Sequence, residues 1–299
     1  MSIIMKTPIF TGSGVAIVTP FTNDGIDFAK LGELVDFQIE NGTDSIIVCG
    51  TTGEASTMND KEHLACIEYV IKKVDKRVPV IAGTGSNDTR HGVELSIEAE
   101  KAGADGLLLV TPYYNKTSQK GLVKHFLENA EKVNTPIILY NVPSRTGLNI
   151  CVEAARELSA HPNINAIKEA SGNISYVAQL AQACGDDLLL YSGNDDMIVP
   201  IMSLGGIGVI SVVANILPKQ THDIVEKYLT GDNDGSRRLQ LEMLPLINAL
   251  FAEVNPIPIK TAMNLMGFDV GFLRPPLYEI GDKANECLKA ELKNYGLLK

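Results

Sequence analysis

An alternation repeated eight times constrains this chain most: a short apolar run rich in Val and Ile, then a longer stretch with helical periodicity. The runs are Val15–Pro20, Ser45–Gly50, Val78–Gly83, Gly106–Pro112, Pro136–Val142, Ile164–Ala170, Leu188–Gly193 and Gly208–Ala214. Apolar runs of this length read as parallel strands buried on both faces. The helical patterns between and after them are Ala29–Glu40, Asp60–Val74, Asp88–Ala102, Ser118–Val133, Val152–Leu158, Ser175–Ala183, Met197–Leu204 and Pro218–Leu229. Eight βα units in succession predict an α/β protein built as a (β/α)8 TIM barrel, a fold of about 250 residues. A doubly wound open sheet is the competitor. It usually carries a Gly-x-Gly-x-x-Gly turn after its first strand, and none stands there. The turn-rich Gly231-Asp-Asn-Asp-Gly235 ends the pattern, and Arg237–Phe251, Ile259–Leu265 and Lys283–Leu292 read as further helices. The 299 residues therefore divide into a barrel over 1–230 and a C-terminal helical extension over 231–299.

Charge and composition exclude several classes. A net charge of −10 argues against a nucleic-acid protein, which needs a basic patch. The longest apolar runs, such as Leu107–Val110 and Gly208–Ala214, are far too short to span a bilayer. Met1–Phe10 carries Lys6 and Pro8 and no apolar leader core, so a cytoplasmic protein is expected. The five cysteines are scattered, with no CxxC pair to suggest a zinc site or a disulfide framework. The five histidines fall away from strand exits, where a metal-assisted hydrolase would need them. No Gly-x-Ser-x-Gly nucleophile elbow is present. Neither metal nor cofactor is expected.

In a barrel of this kind chemistry sits at the C-terminal ends of the strands. Polar residues at those exits are the candidates. Lys168 interrupts the apolar sixth run, Ile164-Asn-Ala-Ile-Lys-Glu-Ala-Ser-Gly172. Burying an ammonium is expensive and favours the neutral amine, the form that attacks carbonyls to make Schiff bases. A rim ion pair with Glu169 explains it equally well. Tyr140 ends the fifth run and can move protons beside such an amine, or simply fill the barrel. Arg145 follows it and suits a substrate carboxylate, or a surface ion pair. Thr51 and Thr52, between Gly50 and Gly53, offer hydroxyls and amides around a tight turn. Glu54 reads as a brace for that turn. Tyr113 and Tyr114 point in different directions from the fourth exit, one toward a site and the other toward a subunit contact, or both into an interface.

These motifs are the basis of a family resemblance. Gly50-Thr-Thr-Gly-Glu54, Tyr113-Tyr-Asn115, Tyr140-Asn-Val-Pro-Ser-Arg-Thr-Gly147 and Ile167-Lys-Glu-Ala-Ser-Gly172 closely resemble the dihydrodipicolinate synthases. These are pyruvate-dependent class I aldolases, and the likeness runs from Gly14 past Lys260. The resemblance implies a (β/α)8 barrel with a C-terminal helical domain. It also implies an aldol-type condensation of pyruvate with L-aspartate 4-semialdehyde toward diaminopimelate and lysine. By the same resemblance Lys168 forms the imine and Tyr140 is the general acid/base. Thr51 links Tyr140 to Tyr114 of a neighbouring subunit. Thr52 holds the pyruvate carboxylate, Ile210 meets pyruvate through its backbone, and Gly193 joins the substrate-binding set. Arg145 receives the semialdehyde carboxylate. The family further implies a homotetramer, a dimer of dimers.

N-acetylneuraminate lyases share the lysine and tyrosine. They usually carry Ser-Thr-Gly-Glu in place of Thr51-Thr-Gly-Glu54 and lack the arginine, so Thr51 and Arg145 favour the synthase. A non-catalytic keto-acid sensor would be expected to lack the lysine. The resemblance also implies a lysine effector site near His63, Asn87 and Tyr113. Inhibitable members often carry glutamate where His91 stands, and a histidine where Asp60 stands. Weak or absent inhibition by lysine is therefore expected.

Overall fold

The computed structural model describes residues 6–298; Met1–Met5, part of the stretch read for a leader, and Lys299 lie outside them. Eight parallel strands close into a barrel. They are β1 Gly12–Ala16, β2 Ser45–Val48, β3 Val80–Gly83, β4 Gly106–Val110, β5 Ile137–Asn141, β6 Ile164–Glu169, β7 Leu189–Ser192 and β8 Gly208–Ser211. Each pairs with the next, and β8 closes on β1 with Gly12 opposite Gly208 and Gly14 opposite Ile210. The helices that follow the strands are α1 Phe28–Glu40, α2 Asp60–Val74, α3 Thr89–Ala102, α4 Gln119–Ala130, α5 Val152–Ser159, α6 Ile174–Cys184, α7 Ile198–Met202 and α8 Pro218–Leu229. Three more, α9 Asn233–Leu250, α10 Ile257–Leu265 and α11 Asp282–Asn294, form the C-terminal extension.

The two faces of every strand are buried in different cores, which is why the runs read as continuously apolar. One face packs on the helices. Val15, Ile46, Val80, Leu107, Ile137, Ile167 and Val209 join that outer core, together with Met243, Leu246 and Ile247 of α9 and Ile259 of α10. The other face fills the barrel with Ala16, Ile47, Ile81, Leu108, Ile138, Tyr140, Ala166 and Ile210. Phe10 stacks on Tyr191 inside, ring centroids 4.5 Å apart, and the Tyr191 hydroxyl donates to the Phe10 carbonyl at 2.5 Å. Among the described residues no helix is long and apolar enough to cross a membrane.

Several boundaries differ from those expected. β1 begins at Gly12, not Val15, and ends at Ala16. Glycines carry no hydropathy signal, yet the β1–β8 seam needs them: a Cβ on Gly208 would stand 2.2 Å from the Gly12 carbonyl oxygen. The last strand stops at Ser211, short of Ala214, because the next two amides, Val212 N–H and Val213 N–H, are taken by the Asp195 carboxylate instead of a neighbouring strand. Helix α9 starts at Asn233, inside the segment read as a break, because the Asp232 side chain caps it by accepting from Gly235 N–H at 2.9 Å. A two-residue hairpin, Phe21–Thr22 with Gly25–Ile26, was not anticipated.

Candidate active site

Strand alternation aims the central pair. Side chains two apart share a face, so Lys168 points into the barrel with Ala166 and Ala170, while Ile167 points out. Two alanines beside it leave the long side chain room. By the same alternation Glu169 faces away from Lys168, which removes the rim ion pair. The Glu169 carboxylate instead accepts from Ser171 N–H at 2.8 Å and the Asn141 side-chain amide at 3.0 Å, and burial pushes its pKa up.

Tyr140 lies beside Lys168 in the β5–β6 register. The Lys168 Nζ is 4.3 Å from the centre of the Tyr140 ring, and Lys168 is only 5% exposed. Gly193, at the β7 exit, packs on the lysine stem; a Cβ there would stand 3.1 Å from Lys168 Cγ. Ile210 is fully buried on β8 inside the barrel.

The β2 exit forms the tight turn expected of its glycines. Gly53 N–H donates to the Gly50 carbonyl, Glu54 N–H donates to that of Thr51, and Glu54 adopts a left-handed φ of 55°. Thr51 lines a cavity of about 370 Å³ with Tyr140, Val142 and Arg145, whereas Thr52 is buried behind the turn. Lys168, Thr52, Gly193 and Ile210 do not line that cavity; the Tyr140 ring connects it to the lysine. Glu54 braces the turn through a buried ion pair with Lys260 Nζ at 2.8 Å, and its second oxygen accepts from Arg274 N–H at 2.9 Å. Burial pushes the Lys260 ammonium down from the usual lysine value, and Glu54 pulls it back up.

Arg145 sits on a single helical turn, Pro143–Thr146, and not in an irregular loop. Its Nη2 donates to the Asn255 carbonyl at 3.0 Å, and the Asn255 side-chain amide donates to Thr52 Oγ1 at 3.0 Å. One residue of the C-terminal extension thus ties two of the expected binding residues together. Asn255 escaped the sequence reading because it belongs to no strand exit.

Tyr114 is absent from the chain's own cavity and stands 92% exposed with φ of 67°, while Tyr113 lines the cavity wall. The same cavity reaches Ala55, Ser56, Asp60, His63, Ser86 and His91. His91 Nε2 meets Asp60 at 3.0 Å and its Nδ1 meets Ser86 Oγ at 3.1 Å. His63 Nε2 is 2.8 Å from the Gly83 carbonyl, and burial lowers its pKa, which fits a neutral imidazole donating there. Among the described residues, His222, Asp223 and Glu226 on α8 bring ligand atoms within 4.8 Å of one another. That group lies at the opposite end of the barrel, beside Asp44 ahead of β2, and Lys219 already pairs with Asp223.

The dihydrodipicolinate synthetase family model matches residues 9–295. A 4-hydroxy-tetrahydrodipicolinate synthase of Caldicellulosiruptor saccharolyticus is 62% identical over 291 residues, covering 97% of this chain and 98% of that protein. One of Acetivibrio thermocellus is 59% identical over 294 residues, covering 98% and 100%. A crystal structure of dihydrodipicolinate synthase from Aquifex aeolicus superposes with a TM-score of 0.94 at 42% identity, over 96% of this chain and 99% of that one. With its closed eight-stranded barrel and its lysine at the sixth strand exit, the chain belongs to the dihydrodipicolinate synthetase family.

Proposed function

We propose that Lys168 is the imine-forming amine of a lyase that condenses pyruvate with L-aspartate 4-semialdehyde, as 4-hydroxy-tetrahydrodipicolinate synthases do. The observation that carries this is the buried lysine paired in register with Tyr140 inside the barrel. The Lys168 amine adds to the pyruvate carbonyl carbon, and the oxygen leaves as water. Tyr140, beside the amine, delivers and removes the protons that this exchange requires. Loss of a methyl proton gives an enamine that attacks the aldehyde carbon. The amino group of the joined chain then attacks the imine carbon and frees Lys168. Thr52 and the backbone at Ile210 and Gly193 hold pyruvate, and Arg145 receives the semialdehyde carboxylate as a charge-assisted clamp. Thr51 carries protons between Tyr140 and Tyr114 of a neighbouring copy. The exposure of Tyr114 supports that placement; self-association as a homotetramer, a dimer of dimers, and a cytoplasmic location belong to the same proposal. The division at residue 230 is part of the same reading.

Borohydride reduction in the presence of pyruvate tests the proposal. Peptide mapping is expected to find the reduced adduct on Lys168 alone. An adduct on another lysine, or none, rules the mechanism out. Turnover of aspartate semialdehyde but not N-acetylneuraminate is expected; the reverse would favour the lyase reading.

Millimolar L-lysine is expected to inhibit weakly or not at all. His91 offers no carboxylate to an ammonium, and the neighbouring Asp60 carboxylate is already engaged by His91. Strong inhibition in a steady-state assay would refute this.

A further inference from the structure

The polar pair Asn141 and Glu169 ends the β5–β6 ladder, and the reaction outlined above does not use it. The two residues are opposite one another in the strand register, one place beyond the opposed Tyr140 and Lys168. One place along a strand is the other face, so the pair points away from the barrel interior. Both residues are 0% exposed. Leu139 and Ile167, two places back on that face, belong to the apolar outer core with Ile150 and Val177. Polar groups buried in such a layer are costly unless hydrogen-bonded. For packing alone, an apolar rung would serve better.

The pair is well bonded. The Asn141 side-chain amide donates to Glu169 Oε1 at 3.0 Å and to Asn149 Oδ1 at 2.8 Å. Asn141 Oδ1 accepts from Ile150 N–H at 3.0 Å. Glu169 Oε1 also accepts from Ser171 N–H at 2.8 Å. The main chain adds two bonds at the same level: Ala170 N–H donates to the Asn141 carbonyl at 2.9 Å, and Gly193 N–H to the Glu169 carbonyl at 2.7 Å. β5, β6 and the β7 exit are thus tied together where β5 and β6 end. On the inner face of the same two strands the Lys168 Nζ lies 4.3 Å from the Tyr140 ring centre. That separation depends on how far apart the two backbones are held. Burial pushes the Glu169 carboxyl toward its neutral form, so it serves the rung as a hydrogen-bond acceptor.

We propose that the Asn141–Glu169 rung is a positioning device for the imine chemistry: by locking the β5 and β6 exits in one register and spacing, it holds the Lys168 amine against Tyr140. Neither residue touches substrate; each acts through the backbone of the residue before it. This inference rests on Lys168 as the imine-forming amine and Tyr140 as its proton partner.

The test follows borohydride trapping of pyruvate in time, which gives both a rate constant and the fraction of chains finally trapped. Glu169→Leu removes the acceptor. Its rate constant is expected to fall about 10²-fold, the cost of misplacing a reacting group by about 1 Å. The trapped fraction is expected to stay at the wild-type level. The KM for pyruvate should stay close to wild type too, because Thr52 and Ile210 belong to the β2 and β8 exits. Glu169→Gln keeps the Oε1 acceptor and is expected to react at close to the wild-type rate. A wild-type rate constant in E169L overturns the proposal, as does an E169Q as slow as E169L. A loss confined to the trapped fraction, which a merely structural residue would give, also overturns it. Should E169L fail to fold, Asn141→Ala removes the donor from the other side without adding bulk. A slower rate constant at unchanged KM is again expected, and a wild-type rate constant overturns the proposal. Absence of any Lys168 adduct in wild type would instead refute the imine reading itself.

Discussion

Replacing Lys168 with methionine is expected to abolish pyruvate trapping and to lower kcat/KM by more than about 10³-fold, because no other group in the barrel supplies the attacking amine. Methionine keeps the four-atom length of the stem, with sulfur in place of Cδ, and removes the nitrogen. The surrounding space, between Ala166 and Ala170, is therefore still filled. Folding should not suffer. The amine is buried among Tyr140, Ile210 and alanines, with an aromatic face 4.3 Å away, and an amine so enclosed costs stability. The thermal midpoint of Lys168→Met is accordingly expected to equal or exceed that of wild type. Activity within tenfold of wild type would sink the assignment; lost activity with a collapsed melting curve would leave the residue structural.

The second large effect is on stability, at the Glu54–Lys260 pair. Lys260 Nζ donates to Glu54 and also to the Thr19 and Phe272 carbonyls, and the two side chains are 0% and 2% exposed for Glu54 and Lys260 respectively. Glu54→Gln leaves an ammonium buried without its counter-charge, which costs about 3–5 kcal/mol. Lys260→Met leaves the carboxylate stranded with the Arg274 amide as its remaining partner, and a loss of similar size is expected. The double variant Glu54→Leu with Lys260→Met is expected to lose less than the two single losses added, because neither charge is then left alone. Urea unfolding measures all three. Single variants within about 1 kcal/mol of wild type would show that the pair is not needed for stability. Because Glu54 ends the turn that carries Thr51 and Thr52, the single variants should also raise the KM for pyruvate more than they lower kcat.

Arg274 extends this brace. It forms two hydrogen bonds to the Glu62 carboxylate, at 2.9 and 2.6 Å, and lies 4.1 Å from the Phe21 ring. The guanidinium holds the Glu62 carboxyl below its ordinary value. The unforeseen hairpin at Phe21 is thus the surface on which two cations, Arg274 and Lys260, stack beneath the β2 exit. A segment beyond residue 250 therefore supports a turn near residue 50, and Asn255 does the same for Thr52 and Arg145.

The barrel and its eight strands were legible in the sequence; that the face shared by Ala166 and Lys168, and the one carrying Tyr140, look inward was settled by the structure, because both faces of each run are apolar. Alternation with period two is a local property: once a run is a strand, which residues share a face follows from spacing. The exits carrying Thr51, Arg145 and Lys168 were legible for the same reason, since each motif sits at the end of its own run. Glycine-rich β1 was misplaced because its strand is held by close backbone approach, which leaves no trace in hydropathy. Only the tertiary structure decided the partner of Glu54, 206 residues away in Lys260, the bridge from Asn255 to Thr52 and Arg145, and the clamp of Asp195 on β8. These are pairings of single polar groups between strand exits and the C-terminal extension. No periodicity marks them, and they exist only once closure of the barrel places those ends side by side, where a buried charge must find a partner.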